Sequence, residues 1–273
     1  MKLFASDLDG TLLNRKHRAD WIINHGLQII KETGNVFTVS TGRNLSLLRT
    51  AKLNKSYVIC MNGSCILDPN EKILIRHPLK KEVLHFLLFD TPFQFEYQTI
   101  DGIYTTKDAQ SFKKIYMANQ MLRNRDIKED MVKNLEAYFF ESDPYWILDQ
   151  EIFKVNLHFT DPSMGPLLDK LAKEHADKIV NAPSVPSLAE ITGAGVTKGN
   201  AVQELADMLE IQNQDIYVYG DGINDVSMLS CFDHSYCPAG STKEALAAAH
   251  YELGPYEEYS VIRHMVDVCM NAL

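Results

Sequence analysis

The feature that most constrains the fold is a repeated pattern in which a short, mainly apolar run ends at a group of polar residues. Three such runs occupy residues 2–6, 36–39 and 57–60. The first run ends at Asp7 and Asp9, and the second ends in Ser40-Thr41-Gly42-Arg43. Apolar residues at helical spacing separate the runs, and strands that alternate with helices are typical of a parallel sheet covered by helices. The pattern therefore predicts an α/β domain.

The alternation of predicted helices and buried strands returns near the end of the chain, after a long segment of different composition. Residues 198–209 favour a helix and residues 216–219 favour a buried strand, whereas residues 81–186 mix short strands, helices and many aromatic residues. Two prolines within residues 182–187 indicate a boundary. We therefore predict an α/β core domain built from residues 1–80 and 187–273, with an α+β domain inserted at residues 81–186.

Composition excludes several classes of function and partner. The 273 residues carry 27 Lys and Arg against 36 Asp and Glu, a formal net charge of −9, which argues against nucleic acid as a partner. The apolar runs are far shorter than the roughly 20 residues of a membrane span, so we expect no membrane partner. Five cysteines without a CxxC pair suggest reduced thiols, and a cytoplasmic location is expected.

Four groups of polar residues follow predicted strands or begin predicted helices, where an open parallel sheet binds its ligands. They are Asp7-Leu8-Asp9, Ser40-Thr41-Gly42-Arg43, Lys198, and Asp221-Gly222-Ile223-Asn224-Asp225. Each alone has an ordinary explanation, as a solvated loop, a helix cap, a surface lysine or a turn. Four acids gathered in one crevice would repel one another, and their all-oxygen ligands favour Mg²⁺ as the neutralising cation.

The order of these motifs resembles that of the haloacid dehalogenase superfamily of phosphohydrolases, and in particular its Cof-type group with a large cap. The resemblance rests on DLDGTLL at residues 7–13, STGR at 40–43, GVTKGNAV around Lys198 and GDGINDVSML at 220–229. It covers both ends of the chain and also includes the Asn62-Gly63 turn. The resemblance implies a Rossmann-like parallel-sheet core domain with an inserted α+β cap domain.

The resemblance also implies a role for each motif residue. Asp7 would be the nucleophile, and Asp9 would protonate the leaving oxygen and later activate water. Mg²⁺ would bind the Asp7 carboxylate, the Asp9 backbone carbonyl and the Asp221 carboxylate, with Asp225 holding a metal-bound water or Lys198 from behind. Thr41 and the Gly42 amide would hold the phosphoryl group, and Lys198 would neutralise its charge. Asn224 would contact the phosphate or orient its neighbours.

These roles predict a Mg²⁺-dependent phosphatase that hydrolyses phosphomonoesters of small metabolites, with sugar phosphates favoured, through an aspartyl-phosphate. A phosphosugar mutase would use the same nucleophile but return the phosphoryl group to the sugar. A phospho-ligand sensor would keep the pocket without turnover, although a sensor has no need for the second acid, Asp9. The partner is expected to be a small phosphorylated metabolite, and the protein a monomer or weak dimer.

Overall fold

The computed structural model describes residues 1–122 and 135–271, and these residues form two sheets in two separate units. Unit 1 comprises Met1–Arg43, Leu48–Arg76 and Val196–Leu273. Unit 2 comprises Asn44–Leu47 and His77–Gly195. Unit 1 thus combines both ends of the chain, and unit 2 is formed mainly by the segment between them.

Unit 1 contains an eight-stranded sheet with the order β14-β13-β12-β1-β2-β3-β4-β5. Its strands are β1 (Leu3–Ser6), β2 (Val36–Ser40), β3 (Tyr57–Cys60), β4 (Cys65–Leu67), β5 (Ile73–Arg76), β12 (Ile216–Tyr219), β13 (His234–Ala239) and β14 (Tyr251–Pro255). All neighbours from β14 to β3 are parallel, whereas β3-β4 and β4-β5 are antiparallel. The antiparallel edge follows from short connections, because a parallel neighbour needs a crossover of a dozen residues or more.

Helices of the described residues are α1 (Trp21–Glu32), α2 (Leu45–Leu48), α3 (Lys81–His85), α4 (Ala109–Leu122), α5 (Pro144–Leu148), α6 (Met164–Glu174), α7 (Lys198–Met208), α8 (Val226–Leu229), α9 (Lys243–Ala248) and α10 (Ser260–Met270). Helix α1 illustrates why they form: Asp20 caps it by accepting a hydrogen bond from the Ile23 amide at 3.3 Å. Ile23, Leu27 and Ile30 recur on its buried face. No helix among the described residues has the length and apolarity that a membrane span requires.

Unit 2 contains a six-stranded sheet with the order β10-β11-β9-β6-β7-β8. Its strands are β6 (Glu96–Gln98), β7 (Ile103–Thr105), β8 (Tyr138–Phe139), β9 (Lys154–His158), β10 (Ile179–Asn181) and β11 (Leu188–Gly193). Pairing is antiparallel except between β7 and β8. Tyr97, Val155 and Ile191 lie side by side on three neighbouring strands and enter one apolar core. The mainly antiparallel sheet and the helices of this segment make unit 2 an α+β structure.

Both boundaries between the two units differ from those that the sequence analysis predicted. Residues 188–191 were assigned to the core, but β11 pairs with β9 in the sheet of unit 2, and Val196 is the first residue after it to join unit 1. The core segment predicted at residues 1–80 likewise ends sooner, at Arg76. The residues of a short apolar strand do not show which sheet it will join, because that depends on its partners, which for β11 are β10 and β9.

A buried ion pair in unit 2 gives a stability prediction. Lys154 Nζ lies 2.6 Å from Glu190 Oε1, and the two side chains are only 2% and 3% exposed. Burial raises the pKa of Glu190, but the Lys154 charge and hydrogen bonds outweigh this and lower it overall. Lys154→Met would leave the buried Glu190 carboxylate without its counter-charge. We therefore expect the free energy of unfolding, measured by urea denaturation, to fall by about 3–5 kcal/mol. Lys170→Met, at a side chain that is 71% exposed, is the control, with a change within about 0.5 kcal/mol. A loss in Lys154→Met as small as the control's would contradict the prediction.

Candidate active site

Asp7 and Asp221 lie side by side because they follow two neighbouring parallel strands. β1 pairs with β12 through Ser6 and Tyr219, and the Asp7 amide donates a hydrogen bond to the Tyr219 carbonyl at 2.9 Å. The turn after Asp7 brings the backbone against Asp221: Gly10 has a φ of 88°, and a Cβ there would lie 2.5 Å from Asp221 Oδ2. Only glycine fits this position, which explains the glycine in the first motif.

Three carboxylates meet at this edge of the sheet. Asp7, Asp221 and Asp225 each place a carboxylate oxygen so that the three atoms lie within 4.8 Å of one another. Asp7 and Asp225 are buried, and Asp221 is partly buried and accepts a hydrogen bond from the Thr11 hydroxyl at 2.6 Å. The structure therefore brings together three of the four acids that the sequence analysis singled out.

Lys198 is the counter-charge within this cluster. It is the first residue of α7, its side chain is fully buried, and Nζ donates to Asp7 Oδ1 at 2.7 Å and to Asp225 Oδ1 at 2.6 Å. Burial alone would lower the pKa of Lys198, but the charges of Asp225 and Asp7 outweigh burial and raise it above its ordinary value. Lys198 is therefore an ammonium ion that links two carboxylates.

The cluster has the chemistry of a site for a hard divalent cation. Burial raises the pKa of Asp7 well above its usual range, and the charges of Asp225 and Asp221 add to this despite the opposing Lys198 charge. Burial and then Asp225 raise the pKa of Asp221 to about 7. Three carboxylates thus face one ammonium, and their oxygens are the ligands that Mg²⁺ prefers. The residues present fit a magnesium ion.

Asp225 differs from the other two acids because protein donors take up most of its lone pairs. Its Oδ2 accepts hydrogen bonds from the backbone amides of Asp221 at 3.0 Å and Gly222 at 2.9 Å, and its Oδ1 accepts one from Lys198 Nζ. A carboxylate has about four lone-pair sites, so little capacity is left for a metal. This arrangement is consistent with one of the two roles predicted for Asp225, that of holding Lys198 in place.

The residues predicted to hold phosphate lie on loops around the cluster. Thr41 and Gly42 directly follow β2, the neighbour of β1 on the side away from β12. Thr41 is buried, and its hydroxyl accepts the Arg43 amide at 3.2 Å. Asn224 is also buried, and its Nδ2 donates to Asn62 Oδ1 at 3.2 Å. Their contact with phosphate stays a prediction.

Asp9 stands apart from the three-carboxylate cluster. Arg43 holds it with two hydrogen bonds, from Nε to Oδ2 at 2.9 Å and from Nη2 to Oδ1 at 2.7 Å. His17 Nδ1 lies 2.6 Å from Asp9 Oδ1. Burial would raise the pKa of Asp9, but Arg43 and the hydrogen bonds hold it well below its usual range, so Asp9 is an anion in this arrangement.

The sequence analysis did not predict the contact with His17, because this contact depends on a turn rather than on a motif. The Asn14 side chain accepts the Lys16 amide at 2.9 Å, and His17 adopts a φ of 54° that folds the chain back toward Asp9. The Asn at residue 14 is the one local signal of such a turn.

Comparisons with known proteins identify the family of this chain. Residues 4–265 match the family of haloacid dehalogenase-like hydrolases. The 5-amino-6-(5-phospho-D-ribitylamino)uracil phosphatase YwtE of Bacillus subtilis is 27% identical over 253 residues, which cover 86% of each chain. A solved haloacid dehalogenase-like hydrolase from B. subtilis has a TM-score of 0.84 at 22% identity, over 97% of this chain and 99% of the other. The subclass IIB sugar phosphatase BT4131 has a TM-score of 0.75 at 18% identity, over 98% and 99%.

The two structural likenesses show a shared α/β fold, and the family match extends over nearly the whole chain. The chain therefore belongs to the haloacid dehalogenase-like hydrolases and is an enzyme of their phosphatase type.

Proposed function

We propose that this enzyme is a Mg²⁺-dependent phosphatase that hydrolyses phosphomonoesters of small metabolites through an aspartyl-phosphate on Asp7. The observation that carries the proposal is the buried cluster in which Lys198 links Asp7 and Asp225 beside Asp221. Phosphoryl transfer depends mainly on positioning and on neutralising negative charge, and this cluster offers both.

In the proposed first half-reaction, a carboxylate oxygen of Asp7 forms a bond to phosphorus while the bond from phosphorus to the ester oxygen breaks. The Asp7 and Asp221 carboxylates and the Asp9 backbone carbonyl would hold Mg²⁺. When bound, the ion supplies positive charge that favours ionised carboxylates and neutralises phosphoryl oxygens. Lys198 contributes the same sign of charge from the protein, next to the nucleophile.

Asp9 is proposed to give a proton to the leaving oxygen and then to take one from the water that attacks phosphorus and releases Asp7. Because Arg43 and His17 hold Asp9 as an anion, the first of these steps requires Asp9 to leave Arg43 and gain a proton. Burial, which raises the pKa of a carboxyl group, favours the protonated form once Arg43 has moved away.

The substrate class that we propose is a phosphorylated sugar or polyol. Support comes from the names of two similar proteins, one a sugar phosphatase and the other a phosphatase for a phosphoribityl compound. A cytoplasmic location is proposed with it, since all five cysteines are free thiols, as in a reducing compartment.

A panel of phosphorylated metabolites with Mg²⁺ tests this function. We expect inorganic phosphate to be released fastest from sugar and polyol phosphates. Isomerised sugar phosphate with little free phosphate would indicate the mutase. Tight binding of a sugar phosphate with no release over hours would indicate the sensor, and either result would overturn the proposal.

Metal binding can be measured without turnover. We expect Mg²⁺ at 100 times its Kd to raise the free energy of unfolding by about 2.7 kcal/mol, because the ion binds the folded state. Asp221→Asn should remove most of this increase, since it deletes a carboxylate ligand. Asp233→Asn, at an exposed position of unit 1, should keep the full increase. An equal increase in the free energy of unfolding of the wild type and both variants would show that Mg²⁺ does not bind at Asp221.

A further inference from the structure

The turn between β3 and β4 has a backbone that is unfavourable for most residues. Met61, Asn62 and Gly63 have φ values of 51°, 57° and 103°, so three consecutive residues are left-handed. Left-handed backbone disfavours most residues with a Cβ, such as Met61, and asparagine least among them, and here Met61 and Asn62 both adopt it in the buried interior. Strain of this kind persists only where surrounding contacts impose it, and it is concentrated at functional sites.

The backbone of this turn holds the loop that follows β2. The Asn62 amide donates to the Thr41 carbonyl at 3.0 Å, and the Met61 amide donates to the Arg43 carbonyl at 3.1 Å. These two hydrogen bonds fix the chain on both sides of Gly42. The strained conformation therefore sets the shape of the predicted phosphate-binding loop.

The Asn62 side chain reaches a second loop. Its Oδ1 accepts a hydrogen bond from Asn224 Nδ2 at 3.2 Å, and both side chains are buried. An amide group can turn about its last bond, so a partner on its donor side fixes which way the oxygen of Asn224 faces. Asn62 thus orients a residue predicted to contact phosphate, from a position 162 residues away in the sequence.

Gly63 touches a third loop, at the start of α7. A Cβ on Gly63 would lie 2.3 Å from the Thr197 carbonyl oxygen. Thr197 caps α7 by accepting the Asn200 amide at 3.2 Å, and Lys198 is the next residue. The close approach of Gly63 therefore sets where α7 begins and where the Lys198 backbone lies.

We infer that Asn62 and Gly63 are positioning residues for phosphate binding, because their turn joins the Thr41–Arg43 loop, Asn224 and the first residue of α7. The inference rests on the proposed function, which assigns these three places to the phosphoryl group. The turn itself touches neither substrate nor metal in this account. Its effect is to keep three loops from different parts of the chain in one fixed arrangement.

Two glycines of unit 1 make a matched test of the close approach. Gly63→Ala and Gly34→Ala both place a Cβ on left-handed backbone, but Gly34, with a φ of 74°, has no atom within 4 Å of the added carbon. We expect Gly63→Ala to weaken the inhibition by inorganic phosphate, measured with Mg²⁺ and p-nitrophenyl phosphate, by about 10- to 100-fold. Gly34→Ala should stay within about twofold. Equal phosphate inhibition constants in the two variants would overturn the role of Gly63.

A double-mutant cycle tests Asn62 without adding any atom, so it does not depend on the fold tolerating a clash. We expect Asn62→Ala and Asn224→Ala each to weaken phosphate inhibition about 5- to 10-fold, and the double variant to be no weaker than Asn224→Ala alone. A purely structural role would lower the melting temperature without this coupling. Additive effects, or no effect of Asn62→Ala beside a clear effect of Asn224→Ala, would overturn the inference and leave the proposed function intact. An unchanged phosphate inhibition constant in Asn224→Ala would instead contradict the role that the proposed function gives to Asn224, and the Asn62 part of the inference would fall with it.

Discussion

Replacing Asp7 by Asn is expected to lower kcat for any phosphomonoester by about 10⁴-fold or more, because an amide cannot form the bond to phosphorus. The substitution keeps the shape of the side chain and an oxygen that can accept from Lys198, which donates to Oδ1 in the wild type at 2.7 Å. Steady-state release of phosphate from p-nitrophenyl phosphate with Mg²⁺ measures the effect. Asp233→Asn makes the same chemical change at an exposed site and should match the wild type.

Loss of activity in Asp7→Asn should come without loss of folding. Burial and two neighbouring carboxylates raise the pKa of Asp7, so the ionised side chain is disfavoured in the folded state. Removing that charge leaves Lys198 paired with Asp225 at 2.6 Å. We therefore expect a melting temperature equal to or above that of the wild type. Turnover within about tenfold of the wild type by a folded variant would exclude Asp7 as the nucleophile.

Replacing Lys198 by Met is expected to impair both stability and activity. The side chain is fully buried, and its loss leaves the carboxylates of Asp7 and Asp225 without their shared ammonium. Breaking a buried ion pair from one side lowers the free energy of unfolding by about 3–5 kcal/mol. Loss of a charge that stabilises the transition state should lower kcat by about 10²- to 10³-fold in the protein that remains folded.

The matched control for Lys198 is Lys243. Both lysines are the first residue of a helix, and both helices are capped by a threonine, Thr197 and Thr242. Lys243 is exposed, so Lys243→Met should change the free energy of unfolding by less than about 0.5 kcal/mol and leave kcat unchanged. Urea denaturation and phosphate release measure the two effects. Similar stabilities of the two variants would mean that Lys198 does not hold the carboxylates together.

Sequence reasoning predicted the parts of the fold and site that depend on local pattern. The family comparison confirms the α/β fold, and the adjacency of Asp7 and Asp221 in the structure follows from placing polar residues at the ends of parallel strands. Strands β13 and β14 were not predicted. β13 contains Pro238 and β14 contains both Gly254 and Pro255, residue types that local propensity assigns to turns.

Parts that depend on long-range pairing could not be predicted from local pattern. β11 reads as a core strand, yet in the sheet of unit 2 it pairs with β10 and, across a separation of 30 to 36 residues, with β9. The sequence analysis predicted a role for Asp9 but not its contacts. The hydrogen bonds from Arg43 require two loops to meet, and the contact with His17 requires left-handed backbone at His17. The cost of strain and the contacts that offset it appear only in three dimensions.

The most direct test of the central claim is to trap the phosphorylated enzyme. Protein mixed with a sugar phosphate and Mg²⁺ would be quenched in acid within milliseconds, digested, and its peptides weighed by mass spectrometry. We expect the peptide containing Asp7 to gain the mass of one phosphoryl group, and the same peptide of Asp7→Asn to show no such gain. If the wild-type enzyme releases phosphate but yields no phosphorylated peptide, or carries the phosphoryl group on another residue, Asp7 is not the nucleophile.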